Sequence, residues 1–343
     1  MDEISMIGLD IAKNVFHVHG VDASGAPVLR RELRRGQVEN FFAKLPATLV
    51  GIEACGSAHH WARVIGRYGH RVRLMPPGYV KAYVKRNKND GRDAEAICEA
   101  VGRPNMRFVA VKSVEQQATL SVPNTRDLLV RQRTAAGNAL RGMLSELGIV
   151  AAQGTKGLRT LMQQLEQPSE AIPELMRNAL LLLARQWEAL DAAERMLEQQ
   201  ITRAAKADRE ARRLMAVPCV GPIIASTVLA KVPDPRMFRS GRDFAAWIGL
   251  TGRDRGTGGK HRIGRISKQG DRMLRTLLIN GASAYLLHQK RRGVTDPWLR
   301  EMLARRPYKV VMVALANKTA RIIWAMLAKG EEYRARASVP AAA

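Results

Sequence analysis

Four acidic residues are spaced so that they could do chemistry together. Asp10 ends the apolar run 4–11, Glu53 ends a second apolar run at 48–53, and Asp90 and Asp93 stand three apart at the start of a predicted helix. That spacing turns both aspartates to one side of the helix. If the two apolar runs are neighbouring strands, Asp10 and Glu53 come side by side at their C-terminal ends, where open α/β sheets place their sites. Carboxylates gathered this way repel one another unless a cation neutralises them, and oxygen-only ligands suit Mg²⁺ or Mn²⁺. Two such ions, about 3.5–4 Å apart, polarise a phosphodiester and stabilise both the attacking and the leaving oxygen. Each acid also has a plainer role: Asp10 as a strand-end turn, Asp90 as a helix N-cap. His17, His19, His59 and His60 lie nearby in sequence without a Cys partner or an HExxH spacing, and read as structural or nucleic-acid-facing.

The elements that must position these acids begin with a three-strand meander at 4–11, 15–21 and 27–33, turning at 22–25. A short helix at 37–45, a buried strand at 48–53, a helix at 58–68, a strand at 70–75 and a helix at 90–101 follow. Strands alternating with helices after an antiparallel start predict an α/β domain with a mixed sheet over 1–105. Beyond about residue 110 the strand signals largely stop. Over 125–147, Leu129, Ala136, Leu140, Met143, Leu144 and Leu147 share a helical face. In 172–210, Leu183, Trp187, Leu190, Leu197, Ile201 and Ala204 follow a near-heptad spacing that Glu194 interrupts. A helical hairpin, a short coiled coil joining protomers and an ordinary bundle helix all fit that pattern. The reading is thus a helical middle at 106–210 and a mainly α region at 211–335, with helices at 270–289 and 308–329. Val-Pro-Cys-Val-Gly-Pro at 217–222 has the look of a helix-hairpin-helix turn offering backbone N–H groups to phosphate, and a purely structural turn fits equally.

Charge complements the acids. The 343 residues carry 56 Lys and Arg against 31 Asp and Glu, a net +25. Solubility asks for only about 2–8 in a small domain, so a polyanionic partner is implied, nucleic acid ahead of an anionic membrane surface. Lys81, Lys85, Arg86 and Lys88, interleaved with Tyr79 and Tyr83, precede the Asp pair. Lys260, His261, Arg262, Arg265, Lys268, Arg272 and Arg275 surround a Gly-rich stretch within 241–282. Such cations supply salt-sensitive affinity, and the tyrosines could stack unpaired bases. Aromatic residues at 5% argue against an extensive single-strand stacking platform and suit a duplex or heteroduplex backbone. No run reaches about 18 consecutive apolar residues. The opening Met-Asp-Glu-Ile-Ser lacks a signal-peptide pattern, and three scattered cysteines argue against a disulfide framework or structural zinc. A soluble, cytoplasmic protein with no membrane partner is the expectation.

Several motifs then resemble one family. Gly-Leu-Asp-Ile-Ala-Lys (8–13), Gly-Ile-Glu-Ala-Cys-Gly (51–56) and Lys-Asn-Asp-Gly-Arg-Asp-Ala (88–94) are similar to the N-terminal domain of the DEDD transposases. This is the insertion-sequence family often called IS-one-ten, which includes the invertase Piv. Val-Pro-Cys-Val-Gly-Pro (217–222), Ala-Ala-Trp-Ile-Gly-Leu-Thr (245–251) and the basic stretch 258–275 resemble its C-terminal domain, in the form of the subgroup called IS-one-one-one-one. The resemblance implies a RuvC-like (RNase H-like) first domain with Asp10, Glu53, Asp90 and Asp93 as the metal-holding quartet. It also implies a C-terminal serine nucleophile that links covalently to DNA, and guidance by a bridge (seeker) RNA pairing with target and donor DNA. The implied site is composite, built from two protomers in a homodimer or homotetramer, in a bacterial, nucleoid-associated setting.

One position departs from the pattern. Relatives carry Ser-Thr or Ser-Ser before Gly-Gly-Lys, whereas this chain has Gly256-Thr257-Gly258-Gly259-Lys260. Thr257 is the hydroxyl nearest the nucleophile position, and its extra methyl crowds the approach to phosphorus. Gly256 could instead mark a lost serine and an impaired protein, or Ser267 could take the role, and a flexible loop is the plain alternative. The reading is therefore an RNA-guided DNA recombinase. Its rivals are a hydrolytic RuvC-like nuclease using the same quartet and a non-catalytic nucleic-acid-binding derivative.

Overall fold

The computed structural model describes residues 4–84, 90–257 and 260–334, apart from the side chains of Asp90, Thr257 and His261. The chain divides into two compact units, Met1–Gln117 and Ala118–Ala343.

In the first unit, apolar alternation builds a five-stranded sheet. The strands are β1 (Met6–Ile11), β2 (Val15–Val21), β3 (Pro27–Arg34), β4 (Leu49–Glu53) and β5 (Arg71–Met75), in the order β3-β2-β1-β4-β5. The first three form the expected antiparallel meander, while β4 and β5 add in parallel on the other side of β1, so the sheet is mixed. Helices α1 (Val38–Ala43), α2 (Ala58–Gly66), α3 (Pro77–Val80) and α4 (Asp90–Val101) interleave with the later strands. Ile7, Leu9, Val50 and Ile52 share one buried cluster with Val38 and Phe42 of α1 and Trp61 and Ile65 of α2. Each such side chain contributes about 1.5–3 kcal/mol on leaving water.

Helix α4 covers the opposite face, and two glycines explain how closely. Gly8 of β1 and Gly51 of β4 are in register. A Cβ on Gly8 would stand 2.1 Å from the Ala94 carbonyl oxygen and 2.4 Å from the Cys98 nitrogen. One on Gly51 would stand 2.7 Å from the Val101 Cβ. Only hydrogen fits beneath this helix.

The second unit is mainly helical. Helices α5 (Val114–Ser145, which begins in the first unit), α6 (Thr155–Glu166) and α7 (Glu174–Ala207) share a core containing Leu140, Leu144, Leu158, Leu161, Leu165 and Trp187. Pairings of Arg126 with Glu198 and Arg133 with Asp191, and the approach of Gly137 to Trp187, show α5 and α7 running antiparallel. On the near-heptad face of α7, Trp187 and Ile201 are buried, whereas Ala204 is exposed. Within the chain α7 is one unbroken helix packed with α5 and α6, as in the bundle-helix alternative, and Glu194 interrupts the seam because it lies buried among arginines.

A separate core joins α8 (Arg209–Met215), α9 (Pro222–Lys231), α10 (Gly241–Ile248), α11 (Arg272–Arg292), α12 (Pro297–Arg305) and α13 (Tyr308–Lys329). Helix α13 is long and apolar enough to cross a membrane by length and composition alone, yet Val311, Leu315, Ala316, Ala320, Ile323 and Met326 are buried in this core.

One expectation needs correction here. The fading of strand signals after residue 110 misses an antiparallel ribbon, β6 (Gly252–Thr257) and β7 (Lys260–Ile266). Position 257 thus ends a strand. The helical face read over 125–147 belongs to a longer helix, which begins at Val114 and carries Pro123 within it.

Candidate functional site

Strand periodicity decides where the first two acids lie. Residues two apart share a face, so Asp10 is on the Gly8 side and Glu53 on the Gly51 side, and both glycines face α4. Parallel register sets Leu9 beside Ile52. Asp10 and Glu53 are the next residues along, at adjoining C-terminal strand ends.

Helix direction places the third. Gly102, just past α4, lies against Met6, whereas Ala94 lies against Gly8. The helix runs opposite to β1, so its first turn, with Asp93, is carried toward the Asp10 end. Asp10, Glu53 and Asp93 are all half-buried.

The thiol of Cys55 reports on both strand-end acids. Its pKa is pushed up by burial first, and then by the carboxylates of Glu53 and Asp10. Negative charge is therefore concentrated at this edge, and its donors are the hard oxygens that a divalent cation takes. The side chain of Asp90 lies outside the described residues. Among the described residues, no three His, Cys, Asp or Glu side chains stand close enough to hold a metal ion together. What the structure brings together is the Asp10–Glu53 pair, with Asp93 in the first turn of the helix above.

The nearby histidines have structural partners. His59 Nδ1 accepts the Lys112 backbone N–H at 3.1 Å, and burial, followed by Lys112 and Arg63, pushes its pKa down to about 4. His19 is buried, His17 lies 3.8 Å from Glu32, and His60 packs edge-on against Trp61.

Of the basic residues before α4, Lys81 is exposed on a single 3-10 turn. Lys85, Arg86 and Lys88 lie outside the described residues. Tyr79 is exposed, whereas Tyr83 is half-buried with the Arg103 guanidinium 6.0 Å above its ring, which removes it as an open stacking surface.

On the ribbon, Lys260, Arg262 and Arg265 are exposed on β7, Lys268 follows in a left-handed turn (φ 56°), and Arg272 opens α11. Arg275 is a correction: it is buried, donating to the carbonyls of Ile248 at 2.7 Å and Gln269 at 3.0 Å, so it braces the loop instead of meeting phosphate. Thr257 and Ser267 lie at opposite ends. Thr257 pairs with Lys260 at the tip, while Gly252 pairs with Ile266 at the base, just before Ser267. Five strand residues separate these ends, roughly 17 Å, so the two hydroxyl residues are not interchangeable. Sequence reading passed over Arg253 and Arg255, although Arg-x-Arg-x-Thr over 253–257 already has the period of a strand.

In the turn at 217–222, Val217 and Val220 are buried and the Cys219 carbonyl would come within 2.3 Å of any Cβ at Gly281 on α11, whereas a Cβ on Gly221 would meet nothing within 4 Å.

Comparison with known proteins bears on both units. A DEDD transposase family model of the IS110 type matches residues 7–149, and one described as "Transposase IS116/IS110/IS902 family" matches residues 211–296. Similar full-length relatives include a Pseudomonas aeruginosa protein called "Probable family 20 transposase", 49% identical over 96% of this chain and 99% of that one. The transposase for insertion sequence element IS1111A of Coxiella burnetii is 40% identical over 97% of this chain and 92% of its own. That for IS1328 of Yersinia enterocolitica is 38% identical over 97% and 99%.

Proposed function

We propose, from the premise that this chain belongs to the IS110 family of insertion-sequence transposases and is a DNA transposase, that it cuts and rejoins strands through a RuvC-like acid site and the hydroxyl of Thr257. The observation that carries this reading is the meeting of Asp10 and Glu53 at adjoining strand ends beneath α4. The mixed sheet with its antiparallel start supports the RuvC-like assignment.

Asp10, Glu53, Asp90 and Asp93 would hold Mg²⁺ or Mn²⁺. The donor chemistry fits, since carboxylate oxygens are the hard ligands that such ions take. A divalent ion there would supply Lewis-acid stabilisation of charge on a phosphodiester. The chain's own residues do the rest. Gly8 lets α4 press on β1 and so fixes Asp93 relative to Asp10. Lys81, Lys85, Arg86, Lys88, Lys260, Arg262, Arg265, Lys268 and Arg272 neutralise backbone phosphates.

The Thr257 oxygen attacks phosphorus, a sugar oxygen leaves with the proton that Thr257 surrenders, and the phosphodiester is kept as a protein–DNA ester until a second strand end takes it back. Because the ester conserves the bond energy, no nucleotide cofactor is needed. We read the division 1–105, 106–210 and 211–335 as acid domain, helical spacer and nucleophile domain. Guide RNA pairing with donor and target, assembly as dimers or tetramers, and action at the nucleoid complete the reading.

The test is a protein–DNA adduct that survives denaturation. It is expected with the wild-type chain and lost in Thr257→Ala, and Gly256→Ser is expected to raise its yield by placing a less crowded hydroxyl at the family's position. Metal-dependent nicking with no adduct would instead mean hydrolysis, and an adduct that persists in Thr257→Ala would move the role to another residue.

A further inference from the structure

Arg255 and Arg262 stand directly opposite each other across the β6–β7 ribbon. Both are exposed. Opposed residues carry their Cβ atoms about 4.5–5.5 Å apart, and like charges so placed repel. A two-stranded ribbon has little to offset that repulsion.

Several other arginines of the chain are matched to acceptors. Arg133 bonds Asp191 at 2.6 Å, Arg213 bonds Glu210 at 2.6 Å, and Arg253, on the same ribbon, bonds the Ser267 carbonyl at 3.0 Å. Among the described residues, neither Arg255 nor Arg262 has a carboxylate or carbonyl partner. Space is left beside the pair as well: at Gly264, two residues past Arg262, an added Cβ would meet only the Arg253 carbonyl oxygen, at 3.5 Å. Two opposed guanidinium forks with no protein anion between them are a ready receptor for an oxyanion that can accept from both, as a phosphodiester does.

We propose that Arg255 and Arg262 together clamp a single phosphodiester of a nucleic-acid strand against the ribbon. This rests on the transposase reading and deepens it. The pair is two and five residues from position 257, on the same two strands, so the clamped phosphate lies close to the strand end that carries the nucleophile. The arginines position the backbone and take no part in bond making.

The test uses the full chain with two probes of arbitrary sequence, a short DNA duplex and a short RNA duplex, and follows binding by fluorescence anisotropy across a salt series. Arg255→Gln and Arg262→Gln are each expected to weaken binding about tenfold to the probe the clamp serves. Because one phosphate is shared, the double variant is expected to lower the slope of log affinity against log salt by only about 0.9. With no nucleic acid present, each variant is expected to hold or raise the melting temperature, since a repulsion is removed.

Wild-type affinity and slope in the double variant, on both probes, would overturn the clamp. So would a slope change of about 1.8, which means two separate phosphates, or a fall in melting temperature, which means a structural role. Adduct formation through Thr257 is scored separately, so a failed clamp alongside an intact adduct leaves the transposase reading standing.

Discussion

Asp191 and Glu194 are 4% and 5% exposed in the middle of α7, where isolated charges would be costly. Arg133 reaches both, and Arg126, Arg159 and Arg195 complete the layer. Burial pushes the Asp191 carboxyl up, but its bonds to Arg195 and Arg133 outweigh this and hold it below the ordinary range. For Glu194 burial prevails over Arg133 and Arg126, and its pKa is raised. The break in the heptad at Glu194 was thus visible in the sequence. Its cause was not, because the partners come from α5, some sixty residues away in the chain. His59 supplies a pH prediction at the same scale. Its folded pKa of about 4 is below the ordinary 6.5, so protons bind preferentially to the unfolded chain. The contribution to stability is therefore whole above pH ~6.5 and is lost as pH falls toward 4. Set against His59→Gln, the wild-type advantage in melting experiments is expected to shrink by about 1–2 kcal/mol between pH 7 and 4.5, the upper limit being discounted for partial exposure. Parallel pH profiles for the two proteins would contradict this.

At the scale of elements, the first unit was legible because its strands alternate cleanly and its two key acids end apolar runs. Spacing pairs Gly8 with Asp10 and Gly51 with Glu53, but it could not show that the two pairs stand side by side on one face of the sheet, for that depends on register between β1 and β4. Gly8→Ala is expected to destabilise the first unit by about 1–3 kcal/mol through overpacking. It should also suppress adduct formation at least tenfold, because α4 must lift and take Asp93 with it. A chain with Gly8→Ala that melts and reacts like the wild type would show that α4 does not position the acids. The β6–β7 ribbon escaped notice for a different reason. Its residues are mostly Gly, Arg and Lys, which are weak strand formers, and the hydrogen-bonded pairing of the two strands, not propensity, holds it together. Arg255 therefore looked like part of a loop, and its opposition to Arg262 became visible only once the pairing was known.

At the scale of the molecule, a net charge of +25 coexists with a local concentration of acid at the edge of the first sheet. Those opposite tendencies make sense in a protein that holds a polyanion over much of its surface and divalent cations at one point on it. Helical periodicity foretold that residues beyond the first domain are mainly helical, and matching relatives cover nearly the whole chain. The central claim is that acids distant in sequence gather to hold metal, and Mn²⁺ binding to the full chain, followed by the electron paramagnetic resonance of free Mn²⁺, tests it most directly. The wild-type chain is expected to deplete the free-ion signal, and Asp10→Asn combined with Glu53→Gln, which keeps the shapes and removes two charges, is expected to restore it at least tenfold in ion concentration. Equal depletion by both proteins, or none by the wild type, would contradict the account.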